Sequence, residues 1–132
     1  LHWSWKVSEG LEPHEETVKA GDDYAARIYV VVSGGLFFWK TIAINYVWSS
    51  TPSSDQAWDN AYAGDNAQML ALRGDGDDLE RWYKESRNLQ ADFKALFGRD
   101  IDVIDGIALM TDTDDTGASA VAQYGEIYLT RN

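Results

Sequence analysis

Three carboxylates fall within four positions of the stretch LMTDTDDTGASA: Asp112, Asp114 and Asp115. Clustered oxygens suit a hard cation, and calcium takes about six to eight of them. A helix-flanked calcium loop reads D-x-[DN]-x-[DN]-G and closes on an acid at its twelfth place. Asp112, Asp114 and Gly117 fit that pattern; Thr116, in fifth place, and Gln123, in twelfth, do not. The flanking runs read as strands, so that particular loop is excluded. Three readings stay open: a generic calcium site at Asp112, Asp114 and Asp115, direct contact with a ligand, or plain turn chemistry, for which Asp, Thr and Gly are common residues.

A second set of residues suits a polar ligand with an apolar face. Trp48 closes a strand-like run, and Trp58 sits in the turn-rich stretch SSDQAWDNAY beside Asp59 and Asn60. Indole planes stack on the C–H faces of sugar rings, while acids and amides bond the hydroxyls. The competing reading is that Trp58 folds back to anchor its own loop. Arg27 and Asn45 occupy the less apolar faces of two strand-like segments. On neighbouring strands they would make one polar patch, joined by Asp23. A buried Arg needs a partner, so an Arg27–carboxylate bridge is the structural alternative.

Glu85 and Asp92 flank the start of a helical pattern. Paired carboxylates cleave glycosidic bonds, which makes Glu85 with an Asp a third, enzymatic reading. Ion pairs at a helix end explain the same residues. His2 and His14 lie in an edge strand and a loop, without metal-ligand spacing. There is no nucleophile elbow, phosphate loop or zinc motif, so the sequence carries no specific enzymatic signal.

These residues sit on a chain of 132 residues, the size of one domain. It carries six Trp, seven Tyr and four Phe, which supply large burial per residue. The net charge of −11 disfavours a nucleic acid, whose phosphates call for clustered Lys and Arg, and also an anionic membrane. With no Cys, disulfides and thiolate metal sites are excluded. No apolar run approaches the length of a transmembrane segment. The opening LHWSWKV shows no signal peptide and reads as a processed or incomplete start.

The elements that must position the candidates are mostly strands. In LHWSWKV, Leu1, Trp3, Trp5 and Val7 alternate with His2, Ser4 and Lys6, the period of a half-buried strand. DDYAARIYVVV alternates as well, and Gly34-Gly35 reads as a hairpin turn leading into FFWKTIAINYVWSS. TPSSDQAWDNAYAGD reads as a long loop, NAQMLALR as a short strand and GDGDD as a turn. SRNLQADFKALFG is the one convincing helix. Leu89, Phe93, Leu96 and Phe97 form its apolar stripe, Ser86 or Asn88 caps it and Gly98 stops it. IDVIDGIALMT and ASAVAQYGEIYLT are the last two strands. The core is expected to draw on Trp5, Tyr24, Ile28, Val30, Ile42, Ile44, Leu70, Phe93, Leu96, Ile107, Leu109, Ile127 and Leu129.

Taken together, WSWKV, GDDYAARIYVV, FFWKTIAINYVWSS, ERWYKESRNLQADFKALFG and IDGIALMTDTDDTGASAVAQYGEIYL resemble the bacterial domain of unknown function 3047 family along nearly the whole chain. The resemblance marks Asp22, Asp23, Arg27, Asn45, Tyr46, Trp48, Trp58, Glu85, Arg87, Asp92, Asp112, Asp114, Thr116, Tyr124 and Glu126 as motif positions. It assigns them no role, because the family has no established activity. It implies an exported protein of Gram-negative bacteria and, by analogy, a galactose-binding-like jelly roll. Family members usually have further strands before WSWKV; a jelly roll lacking them is expected to expose a sheet edge open to self-association, unless a separate chain or a partner completes it or a shorter sandwich suffices.

The expectation is therefore a single domain over 1–132, an antiparallel, jelly-roll-like β-sandwich with one short helix. Its expected function is non-catalytic binding of a glycan or other neutral polar ligand, in the periplasm or outside the cell. Arg27, Asn45, Trp48, Trp58, Asp59 and Asn60 are the ligand residues. Calcium is the one cofactor the acidic loop suggests. The alternatives are an assembly subunit that self-associates through an exposed edge, and a carboxylate-based glycan-cleaving enzyme.

Overall fold

The computed structural model describes residues 1–9, 24–34, 36, 40–50, 57–60, 62, 64–74, 77–110 and 121–131. Among the described residues eight strands and one helix follow in order: β1 (His2–Glu9), β2 (Ala26–Val32), β3 (Ile42–Trp48), β4 (Ala57–Asn60), β5 (Gly64–Arg73), β6 (Tyr83–Ser86), α1 (Leu89–Phe97), β7 (Gly106–Met110) and β8 (Val121–Tyr124). They make a three-stranded sheet, β6-β1-β8, and a five-stranded sheet, β4-β5-β3-β2-β7. The fold is an all-β sandwich with one short helix.

Alternation decides what each sheet buries. Trp3, Trp5 and Val7 of β1 point inward and are at most 2% exposed. They meet Ala26, Ile28 and Val30 of β2 and Ile44, Tyr46 and Trp48 of β3 in one core. Burying a large apolar side chain stabilises by about 1.5–3 kcal/mol, so this cluster carries much of the fold. Trp3 and Trp5 pack edge to face at 5.4 Å, a favoured arrangement of ring quadrupoles.

The expected helix is present. Asn88 caps it by accepting the Ala91 N–H at 3.1 Å, and Gly98, at φ 67°, ends it in the left-handed region that favours glycine. Phe93 is fully buried in the core, with Leu89, Leu96 and Phe97 packed around it.

Four features depart from the sequence reading. The pair β3/β5 is parallel, whereas every other pair is antiparallel. A parallel pair needs a long crossover, and the chain makes it between Trp48 and Gly64, laying down β4 on the far side of β5. β4 lies in a stretch that reads as loop, and β6 in one to which the sequence assigns no strand; both are four residues long and exist through pairing with longer partners. β1 is no edge strand, because β6 and β8 flank it on both sides. Finally, Leu109 and Leu129 are about half exposed rather than core: Leu109 lies on β7, the last strand of its sheet, and Leu129 lies beyond the end of β8.

Candidate functional site

The register of β2 and β3 sets Arg27 opposite Val47 and Tyr29 opposite Asn45, so Arg27 and Asn45 share the outer face of the five-stranded sheet. Both are 6% exposed. The Arg27 guanidinium lies 5.2 Å from the Tyr24 ring, and Nη2 donates to Met110 Sδ at 3.0 Å. The expected patch forms, but as a buried group held by an aromatic ring and a thioether. Asp23 lies outside the described residues.

Trp48 is not a stacking surface. It is 3% exposed, with Trp5 edge-on at 6.0 Å and Tyr83 at 5.7 Å, so no ring face is left for a sugar. Its strand points it into the sandwich, where a closing aromatic fills the core. Trp58 is half-buried on β4. It leans on Tyr24 at 6.4 Å and on Val47, Met69 and Ala71, and its buried Nε1 has no partner among the described residues. Strand alternation separates the run that follows it. Trp58 pairs with Met69, while Asp59 pairs with Gln68 and accepts from Gln68 Nε2 at 2.6 Å. Asn60 turns back on its own chain, accepting the Tyr62 N–H at 2.8 Å. Trp58 and Asn60 meet at Met69, to whose Sδ Asn60 Nδ2 donates at 3.4 Å, while Asp59 is held by Gln68.

The two carboxylates considered for hydrolysis are held by arginines. Glu85, 9% exposed, takes Arg73 Nε at 3.1 Å and Nη2 at 3.0 Å, and also the Trp5 indole N–H at 3.0 Å. This bonding raises the Arg73 pKa above its usual value. Asp92 takes Arg87 Nε at 2.9 Å and Nη2 at 2.8 Å, and the Tyr46 hydroxyl at 2.6 Å. Burial first, and then this bond to Asp92, push the Tyr46 phenol far above its usual range. Forked guanidinium–carboxylate pairs of this kind fix geometry. Asp112, Asp114, Asp115 and Thr116 lie outside the described residues. Among the described residues no three His, Cys, Asp or Glu side chains come together as metal ligands.

The sequence reading missed a cleft of about 560 Å³ at the start of α1. Its walls come from the beginning of β1, the end of β6, the cap and first turn of α1, residues 101–104 and residues 129–131. Leu1, Leu89, Ile101, Val103, Ile104 and Leu129 give it apolar surface; His2, Ser86, Asn88, Gln90 and Thr130 give it neutral hydrogen-bonding groups. The charged liners nearly cancel. Arg87 is neutralised by Asp92, and Asp102 and Arg131 have opposite signs.

His2 organises the polar wall. Its Nδ1 lies 2.7 Å from Ser86 Oγ, and its Nε2 lies 2.8 Å from Thr130 Oγ1. One ring nitrogen donates and the other accepts, so a single tautomer choice orients both hydroxyls. The imidazole stacks on Tyr128 at 4.8 Å and 17°. The available signal was the outward phase of His2 in β1; what the sequence lacked was the pairing that sets His2 opposite Ser86.

Comparison with known proteins adds a family and no activity. Nothing matches among curated proteins or among solved structures. The model of one family, described as "Protein of unknown function (DUF3047)", matches residues 1–128. With nearly all of its length matched, the chain belongs to that family of proteins of unknown function.

Proposed function

We propose that this protein is a non-catalytic binding module for a glycan, and that the cleft beside α1 takes one neutral sugar unit or a comparable polyhydroxyl group. The observation that carries the reading is the cleft's lining. Ligand pockets of about 300–1,000 Å³ combine apolar walls with a few placed polar groups, and this one joins an apolar surface to neutral amides, hydroxyls and an imidazole. A sugar unit presents the complement, C–H faces and hydroxyls. Trp48, buried with no ring face open, favours a site away from that residue. A glycan ligand fits a place at the bacterial envelope, outside the cytoplasmic membrane, which the family resemblance also implies.

Calorimetric titration with a panel of neutral mono- and disaccharides tests this. Replacing His2 with Ala removes the group that orients Ser86 and Thr130. Affinity should fall about tenfold, the equivalent of one lost hydrogen-bonding arrangement, with the fold intact by circular dichroism. Binding that is indifferent to His2→Ala, or no binding across the panel, would overturn the reading.

A further inference from the structure

The cleft opens onto a second surface that the site described above does not use. The outward residues of β1 are His2, Ser4 and Lys6, and the register sets Ser86 beside His2, Lys84 beside Ser4 and Gln123 beside Lys6. Two aromatic rings stand along this strip, Tyr128 and Trp82, each 48% exposed. Tyr128 stacks on His2. Trp82 stands over the other end, with Lys6 Nζ 5.4 Å from its ring. At about 3.3 Å per residue, the strip from His2 to Lys6 runs about 13 Å, longer than one sugar ring.

The strip carries positive charge in a chain with 22 acids against 11 Lys and Arg. Among the described residues, Arg73, Arg81, Arg87 and Lys94 each have a carboxylate partner. Lys6 and Lys84 have no carboxylate partner among the described residues, and they lie on the same face, on neighbouring strands. The overall charge repels anions at a distance, but the screening length is about 8 Å at physiological salt.

We propose that the outer face of β6-β1-β8 is an extended platform for an acidic polysaccharide. The chain runs from the mouth of the cleft along the strip, its units stack on Tyr128 and Trp82, and their carboxylates meet Lys6 and Lys84. This rests on the glycan reading above and adds the length and the charge of the ligand. An acidic chain is favoured over a neutral one because stacking rings alone do not call for two cations left without acids.

The test uses oligogalacturonates of rising chain length and neutral oligogalactans of matched length, titrated into the intact protein. Affinity should rise with length for the acidic series and exceed that of the neutral series. Trp82→Ala should remove most of the gain with length. Lys6→Gln with Lys84→Gln should cut acidic binding about fivefold, the scale of two exposed charge contacts, and leave neutral binding unchanged. Tyr128→Ala is the second platform variant; both rings are half exposed, and circular dichroism verifies each fold. Equal affinity for the two series, or no effect of Trp82→Ala and Tyr128→Ala, would overturn the platform while leaving the cleft reading standing. Binding of no oligosaccharide from either series would overturn both.

Discussion

Glu85 reaches diagonally across the inner face of the three-stranded sheet to Trp5, accepting the indole N–H on Oε2 at 3.0 Å while the register sets Glu85 itself opposite Trp3. The same carboxylate holds Arg73 from the other sheet. One side chain thus satisfies a buried indole donor and ties β6 to β5. Glu85→Ala should cost about 3 kcal/mol, at the lower end for a broken buried pair because the Arg73 side chain is 27% exposed. Glu85→Gln keeps an oxygen for Trp5 and should cost about 1–2 kcal/mol. Urea denaturation of the three proteins checks the order; equal midpoints would show that the carboxylate does not hold the sheets together.

Trp48 and Trp58 should separate cleanly. Trp48→Ala empties a core position between Trp5 and Tyr83 and should cost about 3–5 kcal/mol. Trp58 is half-buried on an edge strand, so Trp58→Ala should cost about 1–2 kcal/mol. Thermal melting of both variants gives the comparison, and a larger loss for Trp58 would contradict this packing.

Tyr46 should make the protein sensitive to alkali. Its folded pKa lies above the unfolded value of about 10, so the protonated phenol is favoured by folding. A raised folded pKa contributes stability that is whole below the unfolded pKa and drains away as pH rises past it. Unfolding free energy should therefore fall above about pH 10. Tyr46→Phe should be less stable at neutral pH by about 1–2 kcal/mol, for the lost bond to Asp92, and should show a shallower alkaline decline. Denaturant titrations across that range decide it; parallel declines would place the sensitivity elsewhere.

Gly125 sits where its N–H donates to the Ser4 carbonyl and where an added Cβ would meet Ser4 Oγ, with Trp82 Cζ3 at 3.6 Å. Gly125→Ala should force Ser4 to another rotamer, at about 1 kcal/mol, and shift the Trp82 fluorescence. An unchanged emission spectrum would mean that the ring is not seated against this backbone.

The parts of this fold that were legible in the sequence are those where a long element is buried on one side. Trp3, Trp5 and Val7 alternate because one face of β1 is core, and Leu89, Phe93, Leu96 and Phe97 recur at helical spacing because one stripe of α1 is. Arg27 and Asn45 could be put on a common face for the same reason. β4 was illegible, since Ala57–Asn60 has turn composition and becomes a strand only beside β5. Trp48 was misjudged because a strand-end Trp reads as exposed unless Trp5 and Tyr83 are known to close around it. The cleft was invisible because its residues come from both ends of the described chain and from the start of α1, and no local pattern joins His2 to Ser86 and Thr130.

The central place of β1 has a consequence during synthesis. Its first neighbour pairs 84 positions downstream, where His2 meets Ser86, and its second comes later still, at Val121–Tyr124. A ribosome delivers these residues in order, so a ribbon bearing Trp3, Trp5 and Val7 waits in water until β6 and β8 are made. Pairings this distant in sequence form slowly, and unpaired apolar strands stick to one another meanwhile. β1 must therefore be shielded until its partners arrive, and overproduction should be limited by the supply of holding chaperones rather than by the stability of the finished sandwich.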